Sequence, residues 1–132
     1  MRSRIWIVLW IAGILFPMEF LARAWPAFGR IFNPIFAPDW MHIVMHSLLF
    51  AMLAFLLAQV VPPISPRAIL VLLGLGLLVG CLQEGLQLFS RGTWPGWPPE
   101  ILDLSVDLGG TIIGIGISRL TLHTKRTYLL NK

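Results

Sequence analysis

The chain has 132 residues, 57% of them apolar and 12% charged, against roughly 45–50% and 25% in an average soluble domain. A fold this small has too little interior to hide that much apolar surface, and the apolar residues fall in runs of about twenty, the length that crosses a hydrocarbon core. A water-soluble globule is thereby excluded, and the expected class is an all-α polytopic membrane protein. Cys81 is the single cysteine; it can build neither a disulfide framework nor a Cys-based metal site, and is expected as a small packing residue. The net charge of +4 and pI near 10.2 come from basic residues at the ends of apolar spans. That pattern orients membrane proteins, so no nucleic-acid partner is expected.

Four spans are expected within a single transmembrane domain covering residues 1–132. The first runs over 5–22. Arg2 and Arg4 before an apolar run imitate a signal peptide, but a convincing small-residue cleavage site is missing and the run continues through Pro17 and Glu19, so it reads as a retained helix. Residues 25–39 follow, interrupted by Pro26, Pro34 and Pro38 yet rich in Phe28, Ile31, Phe32, Ile35 and Phe36. This segment is expected to lie in the outer interface. The second span, 40–61, stops at Pro62 and Pro63, which cannot supply the N–H that would continue a helix. The third covers 68–89. The fourth, 101–122, begins just after Pro98 and Pro99 and ends before a basic tail.

An even number of spans puts both termini on one side. That side carries Arg2, Arg4, Arg67, Arg119, Lys125, Arg126 and Lys132, against Arg23, Arg30 and Arg91 opposite. The imbalance places both termini in the cytoplasm and makes the localisation a cell membrane. All six carboxylates, Glu19, Asp39, Glu84, Glu100, Asp103 and Asp107, then belong to the outer half or the outer loops. Trp25, Trp40, Trp94 and Trp97 bracket the outer ends of the spans, where tryptophans serve as interfacial anchors.

Polar residues recur at helical spacing inside the spans. On the third, Gly76, Gly80, Glu84 and Gln87 form one stripe, with Arg91 beyond them; on the fourth, Asp103, Asp107, Gly110 and Gly114 do the same in the opposite direction. Small-residue stripes let two helices approach closely, so these two faces are expected to meet and their polar ends to converge. On the second span, His42 and His46 share a face. At 1.5 Å per residue, Glu84, Asp107 and His46 fall at about the same depth, roughly 9 Å inside the outer ends of their helices. Carboxylates at that depth are costly on a lipid face and should line a bundle interior or a wet cavity. One reading is a structural clasp in which Arg91 and the histidines neutralise the acids. The other is a binding pocket opening outward, built from Glu84, Gln87, Arg91, Asp103, Asp107 and His46.

Other chemistries fit less well. Two histidines four apart can chelate a metal, with Glu84 and Asp107 completing a site, but nothing has HExxH spacing and acid-rich clusters are common without metal, so no metal or cofactor is expected. Ligation of a tetrapyrrole in a larger assembly is a further alternative of low weight. Two acids can divide acid and base roles, yet no nucleophile is placed beside them. Ser105 lies about 100° around the helix from Asp103 and Asp107.

These residues resemble the VanZ-like family of small membrane proteins. Its recurring pattern has a His near the start of one span, Glu-x-x-Gln near the end of the next, a following Arg, and Asp-x-x-x-Asn-x-x-Gly-x-x-x-Gly opening the last. The resemblance covers roughly residues 39–116, through QEGLQLFSR, with Glu84, Gln87 and Arg91, and DLSVDLGGTIIG, with Asp103, Gly110 and Gly114. Asp107 stands where the family usually has Asn. The histidine motif is displaced: if His46 is the family residue, His42 replaces the usual Asp and Phe50 the usual Tyr; if His42 is, Asp39 lies one position too close. The resemblance implies an outward-facing protein of the cell envelope, in a family named for a protein linked to glycopeptide resistance, specifically to teicoplanin. Together with the residues it gives a non-catalytic four-helix bundle that binds a membrane lipid or other amphiphile. The alternative is a small accessory or assembly subunit of a larger membrane complex, and a membrane-embedded enzyme stands third.

Overall fold

Apolar runs punctuated by prolines fold into six helices: α1 (Arg2–Ile14), α2 (Met18–Ala24), α3 (Pro26–Phe36), α4 (Asp39–Ala58), α5 (Pro66–Arg91) and α6 (Trp97–Leu130). The computed structural model describes the backbone of residues 2–61, 65–91 and 96–130, with side chains for these except at residues 2, 3, 91, 98, 99 and 122–130. No strand occurs among the described residues. Three helices are long and apolar enough to cross a membrane, over Asp39–Ala58, Pro66–Ser90 and Glu100–Thr121, and α1 with α2 makes a fourth if the bent pair is one span.

The first expected span, 5–22, is not one straight helix. Pro17 has no N–H to give the Gly13 carbonyl, and its ring disfavours helical backbone at the residue before it. The chain instead turns through Phe16, whose N–H reaches Gly13 O at 3.3 Å, and α2 departs at 51° to α1. Residues 25–39 are helical over most of their length as well. Pro26 occupies the first turn of α3, where a missing N–H is harmless. Phe28, Phe32 and Phe36 recur every four residues, so their rings stack along α3 with centroids 5.3 and 4.3 Å apart. Gly29 lets α3 fold back against the Ala22 carbonyl of α2.

α4 ends at Ala58, short of the expected 61, and residues 59–61 close a turn on Leu56 and Leu57 carbonyls. Residues 62–64 and 92–95, within the two remaining connections, lie outside the described residues. α5 opens on a cap: Ser65 Oγ accepts the Ala68 N–H at 3.2 Å and Pro66 follows at the first helical position. α6 begins at Trp97, earlier than the expected 101, because Pro98 and Pro99 fall in the first turn, where backbone N–H groups have no helical partner anyway. This brings Glu100 onto the helix.

α4 is the centre of the bundle. One apolar cluster, Ile14, Phe50, Leu53 and Val79, joins it to α1 and α5. The second, Ala54, Ala58, Leu72 and Ile115, joins it to α5 and α6. Trp10 adds an indole N–H donated to Leu49 O at 2.9 Å, the kind of interhelical bond that substitutes for the hydrophobic driving force lipid cannot provide. The outer faces are the reverse of a soluble protein: Leu70, Val71, Leu78, Phe89, Ile112, Ile113 and Leu120 are exposed. Cys81 is exposed too, which corrects its expected role as a packing residue. Trp25, Trp40 and Trp97 are exposed near helix ends; Trp94 lies outside the described residues.

Candidate functional site

His42 and His46 lie one turn apart on α4, and Asp103 and Asp107 one turn apart on α6. The helices run parallel, so equal spacing gives two rungs: His42 Nε2 to Asp103 Oδ1 at 3.2 Å and His46 Nδ1 to Asp107 Oδ1 at 2.8 Å. The imidazole rings are 4.2 Å apart. Against an ionised Asp107, which can only accept, His46 Nδ1–H is the donor. His46 Nε2 then faces the side-chain nitrogen of Gln83 at 3.4 Å.

The close approach of α4 and α6 is set one and two turns further along. A Cβ at Gly110 would lie 2.9 Å from Ser47 Cα, and one at Gly114 would lie 2.9 Å from Ala54 Cβ. This corrects one expectation. Gly110 and Gly114 do not meet the glycine stripe of α5; they pack on α4. The α5 stripe does reach α6: Gly76 lies against Thr111, and Gly80 meets Asp107 of the expected α6 stripe, leaving room for its Oδ2, which a Cβ would approach to 2.8 Å.

One turn beyond Gly80, Glu84 enters the same space. It is 5% exposed, Asp107 1% and His46 4%. One ligand atom from each of these three residues can be chosen so that all lie within 4.8 Å of one another. Glu84 is flanked by the carboxyl groups of Glu100, Asp103 and Asp107. The Glu100 carboxyl is within hydrogen-bonding reach of Glu84, so the two share a proton when either is protonated; apart from that neighbour, neither Glu84 oxygen meets a donor among the described residues, and neither do Asp107 Oδ2, Glu100 Oε2 or Gln83 Oε1. The interior therefore holds a group of acceptors with too few donors, in a setting where an unmatched buried acceptor costs about 1–3 kcal/mol and a charged one more.

Beside this cluster is a cavity of about 590 Å³. Ile14, Leu15, Phe16, Phe32, Phe36 and Leu49 are among its apolar walls, while His42, His46, Gln83 and Gln87 supply polar groups. The break between α1 and α2 and the inner face of α3 both contribute to it, so the proline at 17 helps to shape the site. Glu19 also lines it and holds Arg23 at 2.6 Å across one turn of α2. This exposed pair contributes about 0.5 kcal/mol at most.

Of the six expected site residues, His46, Glu84, Asp103 and Asp107 are brought together. Gln87 is on the cavity wall, and the Arg91 side chain lies outside those described. Three residues of the site were not among the expected six. His42 shares a face of α4 with His46, and its partner at Asp103 repeats the spacing. Gln83 precedes Gln87 by one helical turn, a spacing that puts both on one face. Glu100 precedes Asp103 by three positions, but the two prolines before it made it read as a loop residue. Ser105 is outside the site, as expected, exposed and bonded through Oγ to Ile101 O at 2.7 Å. In comparisons with known proteins, the chain matches no protein-family model, no curated protein and no solved structure.

Proposed function

We propose that the protein is a VanZ-like, non-catalytic membrane protein of the cell envelope that binds an amphiphilic molecule. The head group sits against His42, His46, Gln83 and Gln87, and the tail lies along the aromatic and aliphatic wall toward lipid. The observation that carries this reading is the cavity itself. It combines about 590 Å³ of space with apolar walls and a group of polar side chains, His42, His46, Gln83 and Gln87, on α4 and α5, to which Glu19 and Asn33 add from α2 and α3, the composition of a site for a small amphiphile. Both termini are assigned to the cytoplasm by the basic residues, which puts the polar end of the bundle near the outer surface. The link to glycopeptide resistance rests on the resemblance alone, and is tested by teicoplanin susceptibility of cells expressing the chain.

Native mass spectrometry of the full chain released from detergent tests the binding site. The expected result is a bound lipid-sized adduct that is lost in Met45→Trp, because Met45 lines the cavity and an indole there fills it. An adduct unaffected by Met45→Trp overturns the assignment. So does a stoichiometric protein partner in place of lipid, which returns the accessory-subunit reading.

A further inference from the structure

We infer that His46, Glu84 and Asp107 form a binding site for one divalent transition-metal cation of the Zn²⁺ class. This goes beyond the proposed amphiphile site: of the three residues only His46 borders the cavity, and Glu84 and Asp107 lie behind it. The spacing of these residues in sequence gives no metal motif, and the site exists only because α4, α5 and α6 converge.

Two observations point to a cation. First, one imidazole nitrogen and two carboxylate oxygens, drawn from three helices, can be chosen within 4.8 Å of one another. Ligands at about 2.0–2.2 Å from Zn²⁺ are roughly 3.4 Å apart in a tetrahedral site. A contraction of at most about 1.4 Å, within reach of carboxylate rotation, closes the set. Second, Glu84 and Asp107 are more than nine-tenths buried, yet Oδ2 of Asp107 lacks a hydrogen-bond donor among the described residues, and the oxygens of Glu84 meet none besides the carboxyl group of Glu100. The neighbours of Glu84 are themselves acidic: Glu100, Asp103 and Asp107. His46 is held to Asp107 and His42 to Asp103.

Charge and ligand type narrow the ion. Two carboxylates, one neutral imidazole and a divalent cation sum to zero, which removes the penalty of burying like charges in a low-dielectric bundle. Mixed nitrogen and oxygen ligation suits Zn²⁺ and its first-row neighbours, whereas Ca²⁺ and Mg²⁺ take oxygen shells of six or more. Binding releases any proton held between the carboxyl groups, so affinity falls with acidification.

The test uses the tag-free full chain in detergent, stripped with chelator and titrated with Zn²⁺ alone, with no lipid added. Saturable binding of one Zn²⁺ per chain is expected, undisturbed by millimolar Ca²⁺. Glu84→Gln and Asp107→Asn should each weaken it at least tenfold, the lower end of what even outer-shell substitutions cost a metal site. Cys81→Ser should leave it unchanged. Absence of saturable binding overturns the inference, as does equal affinity in the Glu84→Gln/Asp107→Asn double variant. Should those variants fail to fold, X-ray absorption on the Zn²⁺-loaded Cys81→Ser protein decides. An oxygen and nitrogen shell with imidazole scattering supports the site, and a shell without imidazole overturns it.

Discussion

His46 Nδ1 and Asp107 Oδ1 are 2.8 Å apart between parallel helices α4 and α6, at a level where both side chains are buried. The bond satisfies one oxygen of Asp107 and leaves the other beside Gly80 without a donor. Asp107→Asn keeps an acceptor for His46 Nδ1–H and places an amide donor on the side that lacks one. Its melting temperature in metal-free detergent is expected to stay close to wild type, within about 1 kcal/mol. His46→Ala, by contrast, leaves a buried carboxylate unpaired and should cost about 3–5 kcal/mol. Comparable melting of the two variants would refute this account of the pair.

Glu84 and Asp107 approach from different helices and should behave as one unit. A double-mutant cycle of Glu84→Gln and Asp107→Asn, read by thermal unfolding with chelator present, is expected to give an interaction energy of about 0.5–3 kcal/mol. Relieving one of two facing carboxylates makes the second substitution less beneficial or more harmful than it is alone. Additivity within about 0.5 kcal/mol would separate the two residues.

The convergence of His46, Glu84 and Asp107 was legible because all three lie at one depth on amphipathic stripes, and depth follows from residue count along a helix. The partner of each stripe was not. Glycines at 76, 80, 110 and 114 announce close approaches, but a small-residue face fits any neighbour, and periodicity contains no information on which helix supplies it. Hence α5 was expected opposite Gly110, where α4 packs. The bend at Pro17 and the early start of α6 both turn on proline. At 17 the ring removes a needed N–H, whereas at 98 and 99 it removes none, and only the position relative to the helix start distinguishes the two. The cavity was illegible for a further reason. Its walls come from α1 to α5, and Phe32 and Phe36 belong to a segment whose composition suggested an interfacial element without a direction.

The orientation proposed for the bundle predicts that the connection between α5 and α6 is external and the carboxyl-terminal tail cytoplasmic. In a Cys81→Ser background, Thr93→Cys should react with a membrane-impermeant maleimide in intact cells, and Lys132→Cys only after permeabilisation. The opposite labelling pattern would invert the bundle and put its acidic end on the cytoplasmic side.

Neighbouring glycines on α6 should respond oppositely to the same substitution. At Gly110 an added Cβ meets the Ser47 backbone, 2.9 Å from Cα and 3.0 Å from the carbonyl carbon. Backbone cannot rotate away, so Gly110→Ala must push α4 from α6 and lengthen both His–Asp rungs. Overpacking of this kind costs about 1–3 kcal/mol. At Gly109 nothing lies within 4 Å of the Cβ position, and alanine is the better helix former by about 0.8–1.0 kcal/mol. Gly109→Ala should therefore melt at or slightly above wild type, while Gly110→Ala melts lower and, because the His46–Asp107 rung carries two of the three proposed metal ligands, also loses affinity for Zn²⁺. If Gly110→Ala is as stable as Gly109→Ala, α4 and α6 do not pack through this face, and the geometry that brings His46 to Asp107 fails with it.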